Sequence, residues 1–115
     1  MSLSEFEIKR IEKIVGAFIE NKRPPVHIRN QLDLGYSITG QSVEIFEIRP
    51  VWNNPEKRIT LPVAKATYVK KSNIWKVYWQ KADLKWNGYE PNPQAKTIEQ
   101  FVAIVEEDAY ACFWG

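Results

Sequence analysis

The chain has 115 residues and a mass of 13.5 kDa, room for one hydrophobic core and too little for two. With 44% hydrophobic and 26% charged residues, five Gly and seven Pro, it is not a disordered, collagen-like or low-complexity chain. The net charge of +2 hides a gradient: residues 61–96 carry seven Lys against Asp83 and Glu90, whereas residues 97–115 carry four acids and no base.

Residues 4–22 predict an amphipathic helix, because Ile8, Ile11, Val15, Phe18 and Ile19 fall on one stripe at three- and four-residue spacing. Ser4-x-x-Glu7 is a capping-box start, and Arg23-Pro24-Pro25 is a stop. After a segment with His27 and Arg29 the period changes to two: Leu34, Tyr36 and Ile38 alternate with Gly35, Ser37 and Thr39. Thr39-Gly40-Gln41-Ser42 predicts a hairpin turn with Gly first. It sets Val43 and Ile45 beside Ile38 and Tyr36, and Phe46 over the bare backbone of Gly35. The return strand is expected to run to about Ile48, with Pro50 at an edge or exit and residues 52–58 as a polar loop.

Val63 to Lys71 and Ile74 to Ala82 predict a second hairpin, with Ser72-Asn73 as a two-residue loop. That register pairs Thr67 with Tyr78 and Lys65 with Gln80, and it sets small Ala66 against Trp79 on a core face shared with Tyr68, Trp75 and Val77. Asn87-Gly88 is expected to turn between Trp86 and Tyr89, as a short fifth strand or a protruding loop. A second capping box, Thr97 to Gln100, opens a helix whose apolar stripe is Ile98, Phe101, Val102, Val105 and Ala109. Glu106-Glu107-Asp108 sits at the wrong helix end for the macrodipole. Cys112-Phe113-Trp114 is too apolar for a free tail. The expected fold is therefore one α+β domain over residues 1–115: an N-terminal helix, an antiparallel sheet of four to five strands built from two hairpins, and a C-terminal helix, with both helices on one face.

Single Cys112 and single His27 exclude a disulfide framework and a zinc ribbon or finger. A lone thiol, the lack of an apolar leader and the absence of any spanning apolar run predict a cytoplasmic protein that does not enter a membrane. No glycine-rich phosphate loop occurs, so nucleotide binding through a Walker or Rossmann loop has no support, and neither a cofactor nor a bound metal is expected. A Cys–His nucleophile pair would need the two singletons to meet; a packed Cys is the simpler reading.

Two constellations could carry function. Lysines interleaved with aromatic residues are the combination by which single-strand nucleic-acid binders hold backbone charge and stack bases. Strand alternation sends Tyr68, Trp75 and Trp79 inward and leaves Lys65, Lys76 and Tyr78 on the outer face, flanked by Lys70, Lys71, Arg49, Trp86 and Tyr89. The other constellation is a metal-dependent phosphodiesterase, which would need Glu47, Asp83 and Lys85 to converge; Glu44 and Glu47 point to opposite faces.

Across Leu34-Gly35-Tyr36, Gly40-Gln41-Ser42-Val43, Phe46-Glu47-Ile48-Arg49-Pro50, Ala64 to Val69, the run Tyr78-Trp79-Gln80-Lys81-Ala82-Asp83-Leu84-Lys85-Trp86, and the closing Glu106-Glu107-Asp108 and Cys112-Phe113, the chain resembles the domain-of-unknown-function family DUF3024. The resemblance implies a bacterial source and a stand-alone domain. It carries no activity and transfers no site residue; Asn87 stands where a His is expected from the family pattern. The functional expectation is a non-catalytic binding protein that contacts single-stranded nucleic acid through the basic sheet face. A protein-interaction or homodimerisation module is the second reading, and the phosphodiesterase is the third.

Overall fold

The computed structural model describes residues 3–80, 85–108 and 113–114. In chain order its elements are α1 (Glu5–Lys22), a 3-10 turn (Val26–Ile28), β1 (Asp33–Thr39), β2 (Ser42–Val51), β3 (Asn54–Val69), β4 (Ile74–Gln80), β5 (Trp86–Gly88), β6 (Gln94–Ala95) and α2 (Ile98–Glu107). The strands form one antiparallel sheet in the order β1-β2-β3-β4-β5, with β6 paired to β4 beyond the end of β5. The expected α+β arrangement is observed, with the short β6 as a sixth strand. Buried residues of both helices, among them Ile11, Val15, Phe101 and Val105, join one cluster with the inward strand residues Val43, Ile45, Ala64, Ala66, Trp75 and Val77. The helices therefore cover one face of the sheet, and among the described residues no helix packs on the other. Among the described residues no helix is long and apolar enough to cross a membrane.

Local chemistry sets the ends of α1. Ser4 Oγ accepts from the Glu7 amide and the Glu7 carboxylate accepts from the Ser4 amide, completing the capping box. At the other end Arg23 leaves the helix in extended backbone before Pro24. Its guanidinium donates two 2.8 Å hydrogen bonds to Asp33, one to each carboxylate oxygen, tying the exit of α1 to the start of β1. These bonds hold the Asp33 carboxyl below the usual carboxylate range, helped by the Leu34 amide. The folded-state pKa is lowered, so the stabilisation is fully present above the ordinary carboxylate value of about 3.9 and is lost as pH falls through the lower folded value. Asp33→Asn is thus expected to lower the melting temperature at neutral pH, and the gap from the parent protein should close in acid. A gap independent of pH would contradict the ion-pair explanation.

The β1–β2 hairpin follows the local sequence. Gly40 has φ +59° and Gln41 has no positive φ, the pattern of a type II′ turn, and Thr39 pairs with Ser42. Gly35 lies opposite Phe46, and a Cβ on Gly35 would come within 2.8 Å of that ring. Beyond Ile48 the structure departs from expectation. Residues 52–58 are only partly a loop: β2 continues to Val51, turns at Trp52-Asn53 and returns as the 16-residue β3, in which residues 55–57 are extra between the Val51–Asn54 and Pro50–Arg58 pairs. β1 ends its pairing at Ile48 and β4 begins its own at Ala64. The distal part of β2–β3 is therefore a two-stranded ribbon extending beyond the sheet. A bulge between Ile45 and Phe46 lets β3 carry one extra residue, so that Val63 and Ala64 are both buried.

The β3–β4 connection spans four residues rather than two. Val69 pairs with Ile74, and Asn73 takes the left-handed conformation at φ 53° while accepting a 2.7 Å hydrogen bond from the Tyr68 hydroxyl. Thr67 therefore pairs with Lys76 and Lys65 with Tyr78, while Trp79 lies opposite Ala64 and Ala66 opposite Val77. The displacement is two residues, an even number, so each side chain keeps its expected face.

Asn87-Gly88 is not a turn; both residues belong to β5 and pair with Trp79 and Tyr78. At α2 the cap is only half of the expected box. Thr97 Oγ1 accepts from the Gln100 amide, but the Gln100 side chain accepts from the Lys96 amide. α2 ends at Glu107, and Asp108 is a left-handed cap at φ 42°. The Asp108 carboxylate accepts from the Phe113 and Trp114 amides, each at 3.0 Å, and Trp114 Nε1 donates to the Val105 carbonyl. The acid at the unfavourable helix end thereby folds Phe113 and Trp114 back. Ala109 and Cys112 lie outside the described residues.

Candidate nucleic-acid interface

The uncovered face is built by strand alternation. On β3 it carries Lys65 and Thr67, on β4 Lys76, Tyr78 and Gln80, and on β5 Trp86 and Gly88. Lys65 is directly opposite Tyr78 on one side and Glu44 on the other. Trp86 is opposite Gln80, two pairs further along, and both rings approach the same lysine from the β4–β5 side. The Lys65 ammonium lies 5.2 Å from the Tyr78 ring centroid and 4.9 Å from that of Trp86, within cation–π range of both. Tyr78 and Trp86 are half-buried and Lys76 is exposed.

Beside this cluster is a shallow depression of about 230 Å³ lined by Lys76, Tyr78, Gly88, Pro93 and Gln94. It exists because Gly88, opposite Tyr78, has no side chain and nothing within 4 Å of where a Cβ would be. The tyrosine thus lies beside Lys65 and also lines this depression. A cation beside two rings and a gap can hold an anionic backbone while a flat apolar group rests on a ring.

The remaining residues expected at this site divide. Lys70 and Lys71 are exposed in the β3–β4 loop. Arg49 is on the helix-side parity of β2, where its Nε donates to Glu47 at 3.1 Å. Tyr89 is not at the surface: it is 1% exposed, its ring centroid 4.7 Å from that of Phe113. Sequence reading placed Trp86 beside a loop; pairing of β5 with β4 puts it on the sheet face. The contributions of Gly88, Pro93 and Gln94 were missed because β5 and β6 are too short to show alternation.

Of the alternative catalytic constellation the structure describes Glu47 and Lys85 but not Asp83. Glu44 and Glu47 occupy opposite faces, as their parity requires, and Glu47 is paired with Arg49. Lys85 is exposed, and Asp83 lies outside the described residues. Among the described residues no three His, Cys, Asp or Glu side chains are grouped to hold a metal ion. His27 is exposed in the 3-10 turn. No curated protein and no solved structure matches the chain. The match of a family profile over residues 3–115 does agree with the motifs in β1 to β5 and the closing segment, and on it the chain belongs to DUF3024, a domain of unknown function.

Proposed function

We propose that this protein binds single-stranded nucleic acid through the uncovered sheet face, with Lys65, Lys76, Tyr78 and Trp86 at the centre and Lys70 and Lys71 at one end. The observation that carries the reading is the Lys65 ammonium within cation–π range of both the Tyr78 and Trp86 rings, on the sheet face opposite the described helices. Lysines neutralise phosphates, and the rings offer a surface that any base can stack on, so binding is expected to be tolerant of sequence. Glu44 beside Lys65 moderates the positive potential and favours a modest affinity.

Fluorescence anisotropy of a labelled oligothymidylate tests this. Two to four phosphate contacts give a log–log salt slope between about −1.4 and −2.8, and Lys65→Gln should make that slope shallower. An unchanged anisotropy at low salt and high protein concentration would end the proposal.

A further inference from the structure

Nothing in the fold requires residue 88 to be a glycine. Gly88 has no positive φ, and a Cβ there would meet nothing within 4 Å. A glycine inside a strand weakens it, and often marks a place where a ligand comes close to the backbone. What the bare backbone leaves is the depression of about 230 Å³, smaller than the roughly 300–1,000 Å³ of sites that enclose a whole drug-sized ligand. One planar ring system fits that space. Tyr78 lines it as an aromatic wall and Pro93 as an apolar one, while Lys76 and Gln94 bring polar groups to it. Gln94 is exposed and pairs with Lys76 across β4 and β6, so the two share the outer face, and Ala95 turns into the core.

We infer that this depression seats one base of the bound strand, stacked on Tyr78, and that Gln94 reads the edge of that base in favour of adenine. The inference rests on the nucleic-acid reading and adds one selective position to a face that is otherwise tolerant of sequence. A carboxamide holds a donor and an acceptor side by side. That pair matches the N6 amino group and N7 of adenine, whereas the same edge of guanine presents two acceptors, N7 and O6. Thymine and cytosine have a single ring and cover less of the tyrosine. Lys76, at the same rim, would by itself favour guanine. With its ammonium engaged by the phosphate of the seated nucleotide, Gln94 decides the preference.

Fluorescence anisotropy with three oligonucleotides of one length tests the inference: an oligothymidylate, and the same strand with its central base replaced by adenine or by guanine. The adenine strand should bind about fivefold more tightly than the all-thymine strand, and the guanine strand should not. Gln94→Leu, close in size but without the amide, should abolish the adenine preference while the all-thymine strand keeps its affinity and its salt slope. Gly88→Leu should fill the depression and abolish the preference too. Its circular dichroism melting temperature should not fall, because the new side chain meets open space. Salt-dependent binding of the all-thymine strand with no preference for adenine, a preference for guanine, or an adenine preference that survives in either variant would overturn the inference and leave the nucleic-acid reading standing. No binding of any strand at low salt would overturn both.

Discussion

Tyr89→Ala is expected to cost about 3–5 kcal/mol of folding stability, the range for removing a fully buried aromatic ring. That is a large share of the 5–15 kcal/mol typical of a whole domain. The ring stands where three pieces of chain meet. It packs on Phe113, the Tyr89 amide donates to the Val77 carbonyl at 2.9 Å, and the Tyr89 carbonyl accepts from Asn92. Removing the ring loosens the attachment of the terminal segment to β4 as well as opening a cavity. Urea unfolding should show a lower midpoint with an unchanged slope. A loss below about 1 kcal/mol, the scale of ordinary surface changes, would mean that the ring is available at the surface and belongs with the binding residues.

The second large effect is expected on binding. Tyr78→Ala and Trp86→Ala should each reduce affinity for an oligothymidylate about five- to hundredfold, from the roughly 1–3 kcal/mol that one stacked base contributes. The salt slope should remain near its original value because the lysines are retained. Lys76→Gln should do the reverse, lowering the slope by about 0.7 while stacking persists. Equal losses of slope in both classes of variant would mean that the rings serve only to position Lys65.

Much of the fold was legible because its signals are local. Gly40 fixed the register of β1 on β2, and that register alone set Phe46 over Gly35. The β3–β4 loop was misjudged by two residues, because Ser72-Asn73 is good turn chemistry and the longer loop depends on Asn73 adopting the left-handed conformation. Parity survived the error, which is why Lys65, Lys76 and Tyr78 were correctly assigned to one face. The ribbon was not legible. Residues 52–58 are polar and proline-containing, and they join β3 through the pairing of Asn54 with Val51 and Arg58 with Pro50 rather than through their own alternation.

Tyr89 and Trp86 exchanged their expected places for one reason. Asn87-Gly88 has strong turn chemistry, yet β4 offers it an open edge, and pairing there places Trp86 on the face with Gln80 and Tyr78. Tyr89, just beyond the last paired residue, turns into the core. On the β4–β5 part of the outer sheet face the aromatic residues are thus Tyr78 and Trp86, beside the gap over Gly88.

Backbone amide shift mapping of the labelled protein with an oligothymidylate tests the binding face most directly. The largest perturbations are expected at Lys65, Thr67, Lys76, Tyr78, Trp86 and Gly88, with α1 and α2 unaffected. Perturbations confined to the helices, or none at saturating oligonucleotide, would contradict the assignment of the uncovered sheet as the nucleic-acid face.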